Sequence, residues 1–247
     1  MRRHDPIVIG GNGHSGTRVF CEVITQGGVF TGIPRLTKRP DSEDLRIIDL
    51  LTRWVRPYVC GSLTEGDSIR MRNAFVRRLR IYFPVRCEPW GFKNPRNMLL
   101  LPFLNDLFPQ MKFIHVIRDG RDVSLGNEFA RGNPYVDAFL QPDEATLSDE
   151  EKMACFWGRS NARAADYAAE HMAGRYLRMR WEDLCIDPRP HIEKLFAFVN
   201  SKKEVTESVV AKVRKPSSLG RWRTFEESEQ ARVTRWARPW LTRFGYL

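Results

Sequence analysis

The run Ile7-Val8-Ile9, followed at once by Gly10-Gly11-Asn12-Gly13-His14-Ser15-Gly16-Thr17-Arg18, constrains this chain more than any other feature in it. A compact apolar run bounded by glycines reads as a buried strand. From Arg18 to Gln26 the apolar residues Val19, Phe20, Val23 and Ile24 then share one helical face. Strand, glycine-rich loop and helix in that order bring successive backbone N–H groups and the positive end of a helix dipole to one point. Such a point favours an anion, phosphate above all.

The spacing from Gly11 to Gly16 equals that of a Walker A loop, but Thr17 and Arg18 stand where that motif has Lys and then Ser or Thr. The hydroxyl that would hold magnesium is displaced. Phosphoryl transfer from ATP or GTP leans on that metal for charge neutralisation. A sulfuryl group carries less charge and can move without it, so the departure favours sulfuryl transfer over a small-molecule kinase, which stays as the alternative. Glycines alone would also suit a plain connecting turn; His14, Ser15, Thr17 and Arg18 tip the reading to an anion site.

Short apolar runs alternate with amphipathic stretches along the rest of the chain, the pattern of an α/β fold. Residues 112–117 predict a second strand ending at Arg118-Asp119-Gly120, with a helix from Asp122 onward, and Tyr176 to Met179 predicts a weaker third strand. Helices are expected over 97–107 and 148–172. The second opens on Ser148 and Glu151 at capping-box spacing, and it carries Met153, Phe156, Trp157, Ala164, Tyr167 and Ala168 on one core-facing side. The expectation is one domain over 1–247, with an acceptor-side insertion at 40–86 and a donor-covering C-terminal segment at 201–247.

A net charge of +10 suits an anionic ligand or acceptor. The Arg/Trp-rich tail (Arg232, Arg235, Trp236, Arg238, Trp240) would also suit a nucleic-acid-binding module; a solvated basic face with buried tryptophans is the preferred reading, and nucleic acid is not the expected partner. The five cysteines are scattered and form no metal-ligand pattern. They point to a reducing compartment. The apolar run near the N-terminus is too short for a leader or a membrane span, so the expectation is a cytoplasmic protein with no metal site.

The loop Ile9 to Thr17 resembles the 5'-phosphosulfate-binding loop of sulfotransferases that use PAPS (3'-phosphoadenosine 5'-phosphosulfate). Gly91-Phe92-Lys93-Asn94-Pro95 and the stretch from Leu107 to Val123 are similar to the second signature of that family, a Lys-x-Pro, a helix, a strand and an Arg. Arg180-Trp181-Glu182-Asp183-Leu184 resembles the family's Tyr-Glu-Asp-Leu element. Arg214-Lys215 and Gly220-Arg221-Trp222-Arg223 resemble the C-terminal segment that closes over the donor.

The resemblance implies a P-loop-type three-layer α/β fold, a central parallel sheet flanked by helices, with PAPS as donor and PAP as product. It assigns Gly13, His14, Ser15, Gly16, Thr17 and Arg18 to the 5'-phosphate, Arg118 to the 3'-phosphate, and Lys215, Arg221 and Trp222 to the nucleotide cover. Trp222 suits stacking on adenine. Lys93 is placed beside the bridging oxygen of the donor as a catalytic cation, and His14 stands where the family has Lys or Arg, as a phosphate contact and candidate proton donor. Gly126 replaces the family's serine, which leaves Ser124, Asn127 or backbone for the 3'-phosphate. A general base is not evident; Asp41, Glu43, Asp44 and Glu65 are the nearest acids. The acceptor hydroxyl is unspecified, with an anionic glycan suggested by charge.

Overall fold

A computed structural model describes residues 5–32, 53–83, 89–126 and 135–247. The expected first strand is β1 (Ile7–Gly11), and it sits inside a four-stranded sheet with β2 (Gly91–Lys93), β3 (Lys112–Ile117) and β4 (Tyr176–Arg180). The order is β2-β1-β3-β4 and every pairing is parallel. β2 is only three residues long, too short to show a period, and its partner fixes it: Ile7, Val8 and Ile9 pair with Gly91, Phe92 and Lys93.

Alternation along the strands divides the interior in two. Val8, Phe92, Phe113 and Ile117 enter one cluster with α2 (Glu65–Tyr82), α5 (Asp149–His171) and α9 (Glu227–Phe244). Ile7, Ile9, Ile114 and Val116 enter the other, with α1 (Thr17–Gln26) and α7 (Pro188–Phe198). The result is the three-layer arrangement of a parallel sheet covered on both faces.

The capping box of α5 is present, with Ser148 Oγ accepting from the Glu151 amide and Glu151 Oε2 from the Ser148 amide. Met153, Phe156, Trp157, Ala164 and Ala168 are buried as the periodicity predicted, and Tyr167 is half-buried. α9 packs across α5: Trp236 Nε1 donates to Glu151, and a Cβ at Gly158 would lie 2.0 Å from the Trp240 ring. Both tail tryptophans are therefore packing residues, with Arg232, Arg235 and Arg238 exposed beside them.

The helix expected over 97–107 is two pieces, a 3-10 turn Pro95–Met98 and α3 (Leu101–Leu107). Asn94 caps the turn by accepting from the Arg96 amide, and Pro102 restarts the chain inside α3. The helix after β3 is α4 (Gly120–Leu125), begun earlier than predicted because Asp119 caps it. Three short helices complete the order: α6 (Trp181–Ile186) after β4, α7, and α8 (Glu207–Val210).

This topology selects one crevice. The chain leaves β1 toward β2 on one side and β3 toward β4 on the other, so the connections diverge at the carboxyl ends of the adjacent strands β1 and β3. Open α/β sheets bind ligands at such a switch point. Among the described residues, no helix is long and apolar enough to cross a membrane.

Candidate functional site

The glycine-rich loop emerges at that crevice. His14 and Gly16 have φ of 63° and 82°, in the left-handed region. Gly16 is required twice over, because a Cβ there would also meet the Trp181 ring at 2.4 Å. Trp181, the first residue of α6, is buried and forms the floor under the loop. Thr17 opens α1, whose N-terminus has neither a side-chain cap nor an acidic residue in its first turn. No side chain thus covers the positive end of the helix. Ser15 is fully buried, and its hydroxyl has no partner. An orphaned buried donor beside an uncapped helix N-terminus suits an anion with several oxygens. Gly13, His14 and Arg18 are exposed at the loop's rim.

Lys93 ends β2 opposite Ile9, and the Asn94 amide donates to the Ile9 carbonyl at 3.2 Å. The lysine is thus held, 3% exposed, beside the strand end from which the loop departs. Asn94 Nδ2 is buried and unpartnered next to it.

Arg118 follows β3 and is 5% exposed. Its guanidinium reaches three segments: Nη1 donates to the His14 carbonyl at 3.0 Å, Nη2 and Nε donate to Asp122 Oδ2 at 2.9 and 3.3 Å, and Nη2 also donates to the Ser218 carbonyl. The Trp157 indole donates to the Arg118 carbonyl at 3.0 Å and fixes the backbone behind it.

Asp122 is the second half of this junction. Besides Arg118 it accepts from the amides of Gly220 (2.6 Å) and Trp222 (2.9 Å), so one carboxylate ties α4 to the C-terminal segment. Arg121, bound by Asp119, lays its guanidinium 3.8 Å from the Trp222 ring centre, and Arg223 approaches the same ring at 4.6 Å. The ring suggested for adenine stacking therefore already carries two guanidinium groups. Arg121 is buried and fixed; Arg223 is exposed.

Arg221 is exposed and donates to the Gly126 carbonyl. A Cβ at Gly126 would lie 2.7 Å from the Asp122 carbonyl and 3.0 Å from Arg221 Nη2, so a serine there would meet the α4 backbone first and the Arg221 side chain next. Ser124 turns its hydroxyl inward to the Gly120 carbonyl at 2.7 Å. Lys215 is exposed near Cys185: burial pushes that thiol up to about 11, while Arg118 and Lys215 pull the other way. Glu182 on α6 accepts from the Asp119 amide and the Tyr246 hydroxyl. Burial raises its carboxyl above the usual range despite these bonds.

The structure thus gathers the loop, Lys93, Arg118 and the segment from Ser218 to Trp222 around the ends of β1, β2 and β3. Of the acids considered as a base, Glu65 is an exposed first-turn residue of α2. Asp41, Glu43 and Asp44 lie outside the described residues, as does Asn127. Two residues were missed from sequence. Asp122 had a signal, its i+4 spacing from Arg118; Trp181 had none, because its contact with Gly16 is purely tertiary.

Structural comparison gives the same architecture. Sulfotransferase STF9 from Mycobacterium avium matches with a TM-score of 0.60 at 13% identity, covering 98% of this chain and 77% of that one. The sulfotransferase domain of the curacin biosynthetic pathway matches at 0.58 and 12% identity, covering 100% and 99%. Retinol dehydratase, solved with retinol and PAP, matches at 0.50 and 13% identity, covering 98% and 82%. No curated protein matches the chain. Residues 6–204 match the sequence profile described as the Sulfotransferase family. With the profile spanning most of its length and the fold agreeing, the chain belongs to the sulfotransferase family.

Proposed function

We propose that this chain transfers the sulfuryl group of PAPS to an acceptor hydroxyl, with the donor lying across the ends of β1, β2 and β3. The observation that carries this reading is the meeting of two anion-binding elements at one switch point: the uncapped loop with its orphaned Ser15 hydroxyl, and the Arg118 guanidinium bonded to the His14 carbonyl. In this reading the loop amides other than that of Ser15, which stays on the Asn12 carbonyl, hold the 5'-phosphate of the donor with the Ser15 and Thr17 hydroxyls, Gly13 and Gly16 shaping the turn, and His14 and Arg18 add contacts from the rim. Arg118 and Arg221 face the 3'-phosphate, with Gly126 leaving room for Arg221. Lys215 and Trp222 belong to a cover formed by residues 201–247, and Asp122 anchors that cover. Trp222 contacts adenine only when the exposed Arg223 moves off its ring.

Lys93 stabilises the charge that grows on the bridging oxygen as the old sulfur–oxygen bond breaks and the new one to the acceptor oxygen forms. Fixed charge of this kind acts without reorganisation at the moment of reaction. Holding donor and acceptor in line supplies the remainder. The acceptor side is assigned to residues 40–86. Exposed arginines on α2, among them Arg70, Arg77 and Arg80, support an anionic acceptor such as a glycan. The odd number and wide scatter of the five cysteines support a reducing, cytoplasmic setting.

The test is transfer of labelled sulfate from PAPS to fractionated acceptor pools in excess EDTA. Label appears in one pool and survives the chelator. Activity that vanished with EDTA and returned with magnesium would turn the reading toward phosphoryl-type chemistry.

A further inference from the structure

Behind the phosphate loop runs a row of polar side chains, all buried but the half-buried Tyr176, that the proposed chemistry leaves unused. It starts at Tyr176 on β4, crosses to His115 on β3 and Asn161 on α5, and ends at Asn12, the first loop residue after β1. The links are short: Tyr176 hydroxyl to His115 Nδ1 2.6 Å, His115 Nε2 to Asn161 Oδ1 2.8 Å, and Asn161 Nδ2 to Asn12 Oδ1 2.6 Å. Asn12 Nδ2 in turn donates to Ser160 Oγ at 3.3 Å. His115 and Asn161 are 0% exposed, Ser160 1% and Asn12 4%.

The direction of every proton follows from one contact. Asn161 Nδ2 also donates to the Trp157 carbonyl at 2.7 Å, and a carbonyl can only accept. The amide nitrogen of Asn161 therefore faces the loop and its oxygen faces His115. His115 must donate from Nε2 and accept at Nδ1 from the Tyr176 hydroxyl. At the far end Ser160 passes its proton to the Trp157 carbonyl at 3.3 Å. The row runs one way, and each donor in it meets an acceptor.

A fully satisfied buried network rigidifies what it touches, and a broken one is costly. What this one touches is the hinge of the loop: the Asn12 side chain is bonded to Asn161 and Ser160, while its carbonyl accepts from the Ser15 amide at 3.3 Å.

We infer that Asn161 and His115 are positioning residues for the phosphate loop: acting through Asn12, they set the point at which the chain leaves β1, so that the loop amides are aimed before an anion arrives. This rests on the reading of the loop as the 5'-phosphate site. Neither residue touches the donor. Their contribution is to remove the reorganisation that a loose loop would undergo on binding.

Hydrogen exchange of the free protein tests this without any nucleotide. In Asn161→Leu the Ser15 amide, held by the Asn12 carbonyl in wild type, exchanges about tenfold faster, the scale of one lost net hydrogen bond, while β1 and β3 amides stay protected. Loop exchange within about twofold of wild type, at any level of global stability, overturns the inference. Should Asn161→Leu fail to fold, the pair His115→Gln and His115→Phe decides. Gln can still donate to Asn161 Oδ1 and keeps the loop protected; Phe cannot, and the loop loosens. A role limited to core filling would give the two variants equal loop exchange. As a second readout, the dissociation constant for PAP rises about tenfold in Asn161→Leu. Wild type that failed to bind PAP would sink the donor assignment, and the exchange result would still stand or fall separately.

Discussion

Removing the Asp122 carboxylate by Asp122→Ala strips a junction whose two charged side chains are 6% (Arg118) and 1% (Asp122) exposed. Arg118 Nε and the amides of Gly220 and Trp222 lose their acceptor at once, and Arg118 Nη2 keeps only the Ser218 carbonyl. A buried cation left without its partner costs about 3–5 kcal/mol, a large share of a total stability of about 5–15 kcal/mol. In a chain of this size that corresponds to a fall in Tm of roughly 10 °C. The loss is local as well as global, because Asp122 joins α4 to the segment from Ser218 to Trp222. Urea unfolding measures the first effect and limited trypsin digestion at Arg221 the second, with cleavage there faster than in wild type under native conditions. PAP should then stabilise Asp122→Ala more than wild type, since a phosphate at Arg118 replaces the missing counter-charge. Stability within about 1 kcal/mol of wild type, with no added trypsin sensitivity at Arg221, would refute the idea of a single carboxylate anchoring the cover.

Lys93→Ala and Arg118→Ala should fail differently: the lysine variant loses about a hundredfold in kcat with little change in PAP affinity, and the arginine variant mainly raises KM for PAPS. Full turnover in a folded Lys93→Ala would remove its catalytic assignment. Burial, with the charge of Arg178 acting the same way, holds His115 at about 4 against an ordinary 6.5. The unfolded chain therefore takes up a proton that the folded chain refuses, and stability from this group, complete above about pH 6.5, is lost as pH falls toward 4. Between about pH 7 and about pH 4.5 the loss is about 2 kcal/mol, and the stability curve of His115→Gln is flatter by that amount. Parallel curves would contradict it.

The parts of the fold written in local pattern were legible. β1, β3 and α5 follow from apolar runs, period and a capping box, and the loop follows from its glycines. β2 was not, because three residues carry no period and Gly91 to Lys93 become a strand only by pairing with Ile7 to Ile9. The break between Met98 and Leu101 depends on Asn94 and two prolines, local signals that a smooth helical period concealed. In the candidate site, Lys93 and Arg118 were named through the family resemblance, and the structure brings both to the strand ends beside the loop. The residues that hold them could not be named: Trp181 meets Gly16 from 165 positions away in sequence, and Trp222 is found against Arg121 where an open ring was expected.

Calorimetric titration with PAP and with AMP, in EDTA and on the same preparation, tests the donor site most directly. The two ligands share the 5'-phosphate and adenosine and differ in the 3'-phosphate assigned to Arg118. A hydrogen-bonded charge pair of this kind is worth about 1.5–3 kcal/mol, so PAP should bind roughly tenfold to a hundredfold more tightly, and Arg118→Ala should erase the difference. Equal affinities for PAP and AMP in the wild-type protein would contradict the account.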